Sequence, residues 1–161
     1  MPFDPDFTVG STVLIHGEFT DVQVLDPDLH PNRVLDPTEP FQVVVTWQMS
    51  GIYVPLWLYE GPGGDRDFQI KVFAESMGPG PEMQIGFAEV DVTNYTPCGT
   101  DCYEYSVTVN VPANTLPENL PADASGVYKL ITTVWLNGAA AGPTDIIGFS
   151  EAPVIQVENL D

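Results

Sequence analysis

Apolar and polar residues alternate along "FQVVVTWQM", with Phe41, Val43, Val45, Trp47 and Met49 on one side and Gln42, Val44, Thr46 and Gln48 on the other. A side-chain period of two is that of a strand with one buried face. "YEYSVTVNV" repeats it, placing Tyr103, Tyr105, Val107, Val109 and Val111 inward. "FQIKVFAE" predicts a third strand with Phe68, Ile70, Val72 and Ala74 inward, and "GVYKLITTVWLN" a fourth with Tyr128, Leu130, Thr132, Val134 and Leu136 on one face. Shorter strands are expected at "TVLIH", "EFTDVQVL", "VPLWLY", "IGFAEVDVT", "DIIGFS" and "APVIQVE".

Between these segments lie "EGPGGDRD", "MGPGPE", "PCGTD", "LPENLPADASG" and "NGAAAGPT", all rich in turn-forming residues. No dozen residues free of Pro and Gly show helical periodicity, although "TLPENL" has room for one helical turn. Many short strands without crossover helices exclude a parallel α/β fold and predict an all-β chain built as a single antiparallel β-sandwich.

"ADASGVYKLITTV" places Gly126 two positions before Tyr128 at a strand entrance. In this it resembles the penultimate strand of immunoglobulin-like and fibronectin type III-like domains. The resemblance implies a tyrosine corner, in which the Tyr128 hydroxyl bonds back to nearby backbone. It sets Leu130 where antibody domains carry the second inter-sheet cysteine. "FQVVVTWQM" has no cysteine, so the implied sandwich has no disulfide between its sheets and uses Trp47 as a core aromatic. Such a superfold implies no activity.

The first 40 residues read differently. "VLDPDLHPNRVLDPTEP" contains VLDP twice, and residues 1–40 hold six of the 16 prolines. Proline cannot donate to a sheet ladder and favours extended or turn backbone. Residues 1–40 are therefore expected to form an extended arm with edge strands, and residues 41–161 the sandwich. Val13, Ile15, Val22 and Val24 are the arm's candidate anchors, on its own sheet edge or a neighbour's.

Twenty-three acids against Arg33, Arg66, Lys71 and Lys129 give a net charge of -19. Nucleic acid and anionic membrane surfaces should repel such a chain. A solubilising surface, salt adaptation, or a site for cations or basic partners would each account for the acids. "MPFDPDFTVGSTVLIHGEF" shows neither the basic start nor the apolar run of a signal peptide, and no window is long and apolar enough for a membrane helix. A soluble chain is expected, its compartment left open.

Cys98 and Cys102 flank three residues of "PCGTDC". With His16 and His30 they are the only thiol and imidazole groups, but the spacing fits no zinc motif. No basic residue lies near in sequence to activate a thiolate, and Asp101 and Glu104 oppose one. A disulfide tying the neck of a hairpin between "VDVTNY" and "YEYSVTV" fits the pattern better, with Gly99, Thr100 and Asp101 as its apex. Free thiols remain the alternative.

Loop acids Asp26, Asp28, Asp65 and Asp67 are the calcium candidates, although none matches an EF-hand. The hydrolase and nucleotide signatures G-x-S-x-G, H-E-x-x-H, the P-loop and the dinucleotide fingerprint are missing. No cofactor is implied and the chain reads as a non-enzyme. Tyr53, Trp57 and Tyr59 around Pro55 form either an aromatic platform or core. Phe73 and Trp135, opposite the core faces of their strands, are candidates for exposed contact. The leading expectation is a structural or assembly module acting by protein–protein contact, with self-association into a particle or filament. A carbohydrate- or calcium-dependent binding module is the alternative, and a small hydrolase with an acid pair a third.

Overall fold

The computed structural model describes residues 2–59, 66–118, 125–138 and 146–159. Along them run β1 (Phe7–Val9), β2 (Thr12–Leu25), β3 (Val34–Leu35), β4 (Phe41–Ser50), α1 (Val54–Trp57), β5 (Arg66–Ser76), β6 (Glu82–Asp91), β7 (Thr96–Gly99), β8 (Cys102–Val111), β9 (Val127–Gly138), β10 (Ile147–Ser150) and β11 (Val154–Val157). Among the described residues the chain is all-β apart from α1. One sheet has the order β1-β2-β4-β8-β7, and the other β3-β11-β9-β5-β6, with β10 also on β9. The strand pairs are antiparallel except β11 with β3.

The two sheets pack face to face, as the alternation requires. β4 alternates buried and half-buried residues over its whole length, with Phe41, Val43, Val45, Trp47 and Met49 inward. From the opposite sheet Phe68, Ile70, Val72, Ala74, Tyr128, Leu130, Val134 and Leu136 face them. Trp47 stacks on Tyr105 with ring centroids 5.3 Å apart and meets Phe68 edge-on at 5.4 Å, joining the sheets. Such aromatic pairs contribute roughly 0.5–1.5 kcal/mol each beyond the area they bury. Val107, also expected inside, is half-buried at the core's margin. The Tyr128 hydroxyl donates to the Pro117 carbonyl at 2.9 Å, and that of Tyr105 to the Val92 carbonyl at 2.8 Å.

Strands from the N-terminal 40 residues pair on both sheets of this body, β2 on β4 and β3 on β11. β2 pairs with β4 from His16 to Leu25, interrupted by a bulge between Phe19 and Asp21, so the two short strands expected here are one. Phe3, Ile15, Val24 and Leu35 belong to the core. The Phe3 amide donates to Gly17 of the first sheet, while Asp4 and Ile147 of the second exchange backbone hydrogen bonds. Residues 2–4 thus stitch the sheets together along one open side.

The VLDP repeat has a structural counterpart. In each copy the Val-Leu pair ends a strand and the aspartate begins a turn. Asp26 Oδ1 accepts from the amides of Asp28 and His30, and Asp36 Oδ1 from the amide and hydroxyl of Thr38. The first copy closes β2 in one sheet and the second closes β3 in the other.

Two local expectations are corrected. "VPLWLY" contains α1 and not a strand, because Pro55 sits at the start of a helix, where its missing N–H costs nothing. "VDVTNY" is not the hairpin partner of β8. β6 ends at Asp91 in the other sheet, where Asp91 Oδ1 accepts from the Thr93 amide and turns the chain across to β7. "TLPENL" lies partly outside the described residues.

Candidate interaction surfaces

The outer faces of the two sheets differ in chemistry. On the first, Gln42 donates to Asn110, Thr46 and Ser106 share a hydrogen bond, and Gln48 donates to Glu104, all between neighbouring strands. These groups satisfy one another and leave a hydrated polar surface.

On the second sheet the register sets aromatic and aliphatic residues among polar ones, with Gln69 donating to Glu89 between strands. One row across four strands reads Phe149, Thr133, Lys71, Phe87, and the next reads Ile147, Trp135, Gln69, Glu89. Ile131 and Phe73 continue it in a third row. Phe149 is 44% exposed, Phe87 47% and Trp135 37%. Phe73 is half-buried, so of the two residues singled out for contact Trp135 is the more open. Lys129 stands on this face too, held by Glu75 at 2.8 Å and Glu151 at 3.6 Å, and the bond to Glu75 raises its pKa above the ordinary lysine value. The sheet's other side is the core, and on this outer side Phe87, Phe149 and Ile147 remain exposed.

A second cluster of exposed apolar residues occupies one end of the molecule. After β4 the chain bends at Gly51, whose φ of 128° suits glycine and whose α-carbon lies against the Leu14 carbonyl. The Gly51 amide donates to Asp101 at 2.9 Å, that of Ile52 to Val13 at 3.3 Å and that of Tyr53 to Leu14 at 3.0 Å. These bonds draw α1, the β1–β2 hairpin and the β7–β8 hairpin together. Val54 and Leu58 fill the core and Trp57 packs against it, whereas Tyr53 and Tyr59 are exposed. Within the aromatic segment Trp57 thus joins the core's margin while Tyr53 and Tyr59 stay at the surface.

Cys98 and Cys102 are joined in a disulfide, with α-carbons 5.1 Å apart. The hairpin register pairs Cys102 with Gly99, so the turn is Thr100 and Asp101 and Cys98 sits at the irregularity beside it. No zinc site forms from these sulfurs. The anchors expected on the arm divide in the same way: Ile15 and Val24 are buried in their own core, Val22 packs against it, and only Val13 is exposed.

The calcium candidates do not converge on one place. Asp26 and Asp28 lie in the turn after β2, at the opposite end of the molecule from Asp67 near the start of β5, and Asp65 lies outside the described residues. Among the described residues no three His, Cys, Asp or Glu side chains are grouped to hold a metal ion. A cleft of about 170 Å³ is lined in part by Asp26, Asp28, Asp36 and Glu39. The hydrogen bonds from Thr38 hold the Asp36 carboxyl below its ordinary value, the reverse of what a general acid needs. His16 has Asp6 at 3.4 Å from Nδ1 and Glu18 at 3.9 Å from Nε2, partners the sequence did not reveal. Ser50 stands opposite His16 in the register, but no hydrogen bond joins them among the described residues.

No helix among the described residues is long and apolar enough to cross a membrane. No family model matches the sequence, and no curated protein is similar to it. Among solved structures the chain is similar to the C-terminal domain of wzt, with a TM-score of 0.53 and 6% identity over 97% of this chain and 80% of that one. At that identity the likeness is one of fold, a β-sandwich-like arrangement.

Proposed function

We propose that this chain is a non-catalytic structural or assembly module that works by protein–protein contact, on an immunoglobulin-like scaffold. The outer face of the second sheet is its contact surface and another copy of the chain its partner. The observation that carries this reading is that Phe149 and Phe87 in one row, and Ile147 and Trp135 in the next, are exposed on a sheet whose inner face is already core. The Tyr128 corner bond supports the immunoglobulin-like type.

Paired outer faces bury aromatic surface, the main favourable term in association. Against it stands the repulsion of two chains of formal charge -19. Salt screens charge over a Debye length of about 10 Å at 0.1 M but leaves apolar burial intact, so association through this face tightens as salt rises.

Tryptophan fluorescence tests the reading. Trp47 is fully buried, Trp57 half-buried and Trp135 the most open, so quenching by neutral acrylamide reports mainly on Trp135. Quenching should fall as protein concentration rises, and more so in high salt. Quenching independent of concentration would count against this face.

A further inference from the structure

We propose that the end of the molecule formed by the β1–β2 hairpin and α1 is a second binding surface, whose ligand is a protein segment presenting apolar side chains flanked by lysine or arginine. Phe7, Val9, Val13, Ile52, Tyr53 and Leu56 are all exposed there, Leu56 at 70% and Phe7 at 61%. The backbone bonds from Ile52 to Val13 and from Tyr53 to Leu14 set the start of α1 beside β2, and the ladder sets β1 along β2 with Thr8 opposite Val13 and Val9 opposite Thr12. A monomer rarely leaves so much neighbouring apolar surface open without use.

Charge selects the occupant. Asp6 and Glu18 lie beside this cluster around His16, and Asp101 borders it through the Gly51 bond. Arg66, the guanidinium at this end among the described residues, donates to the Trp57 carbonyl and is turned away from that role. Carboxylates around an apolar centre match a segment with cationic residues around an apolar centre. A second copy would set like carboxylates against each other, and an anionic membrane would be repelled. The fixed backbone of this end, tied through Gly51 to the disulfide hairpin, reduces the ordering cost of binding.

The test uses the full chain and three synthetic peptides: an amphipathic one of leucine and lysine, one of serine and lysine with equal charge, and one of leucine and glutamate. Titration calorimetry should show binding of the leucine–lysine peptide alone, weakening with salt. Tyr53→Ser with Leu56→Ser, both exposed and so expected to leave melting unchanged, should weaken it by about tenfold or more. Asp6→Asn with Glu18→Gln should weaken it and flatten its salt dependence, while Phe149→Ser should leave it as in the wild type. Equal binding of the serine–lysine peptide would reduce the effect to net charge and overturn the proposal. So would binding of the leucine–glutamate peptide, no binding of the leucine–lysine peptide, or unchanged binding by the Tyr53/Leu56 variant. Binding of phosphatidylserine vesicles that this variant abolishes would assign the surface to lipid and also overturn it. The opposite salt dependences keep this surface distinguishable from self-association through the second sheet.

Discussion

The ring of Phe3 lies against the bare α-carbon of Gly148, where any side-chain carbon would overlap it, and Gly17 of the opposite sheet lies against the same ring. The N-terminal segment therefore closes the body as a wedge. Removing the wedge and filling its socket should both be destabilising, and not additively. Phe3→Ala should cost about 3–5 kcal/mol and Gly148→Ala about 1–3 kcal/mol by overpacking. In the double variant the Gly148→Ala cost should largely disappear, because the added methyl then meets space. Denaturant midpoints of the four proteins check this, and additive costs would show that ring and glycine act independently.

Tyr105 and Tyr128 predict a loss of stability in alkali. Burial raises both hydroxyls above the ordinary phenol value of 10.0. The unfolded chain releases these protons first, so their stabilising contribution is complete below that pH and is lost as pH rises through the folded values. Phenolate absorbance should therefore include a component that appears only together with unfolding. Tyr105→Phe should lose about 1 kcal/mol with its bond to Val92 and unfold less steeply with rising pH. Smooth ionisation of every tyrosine in a folded chain would contradict the burial.

The disulfide predicts a modest loss when removed. Closing so short a loop restricts the unfolded chain by about 2 kcal/mol in the chain-entropy account. Cys98→Ser with Cys102→Ser should lower stability by that order and leave the far end unchanged, as thermal melting and hydrogen exchange would show. Alkylation of the denatured, unreduced protein should label neither cysteine.

Calcium should leave the melting temperature where it is. Asp26 Oδ1 is engaged by turn amides, and Asp67 lies at the other end of the molecule. A calcium-dependent rise would revive the cation-binding alternative.

Strands long enough to display a full alternation were legible in the sequence. Val43 to Met49 on β4 and Phe68 to Ala74 on β5 show their inner faces by pattern alone, and the outer position of Trp135 follows once Leu136 is inside. Phe87 and Phe149 were not legible as parts of the same surface. Their rows exist only through the registers of β6 on β5 and β10 on β9, which no local pattern specifies. The length of β2 was not legible in the first 40 residues, where six prolines suggest broken structure, yet none of them falls within Thr12–Leu25. The repeated VLDP marked strand ends, and it becomes readable once Asp26 and Asp36 are seen accepting turn amides.

The central claim is that the outer face of the second sheet joins copies of this chain. Sedimentation equilibrium of the full chain, wild type against Phe87→Ser with Phe149→Ser, tests it most directly over a range of concentration and salt. The wild type should show a mass above that of one chain that grows with concentration and with salt, while the variant should remain a single chain with an unchanged melting temperature. A single-chain mass for the wild type under all conditions, or association of the variant equal to that of the wild type, would contradict it.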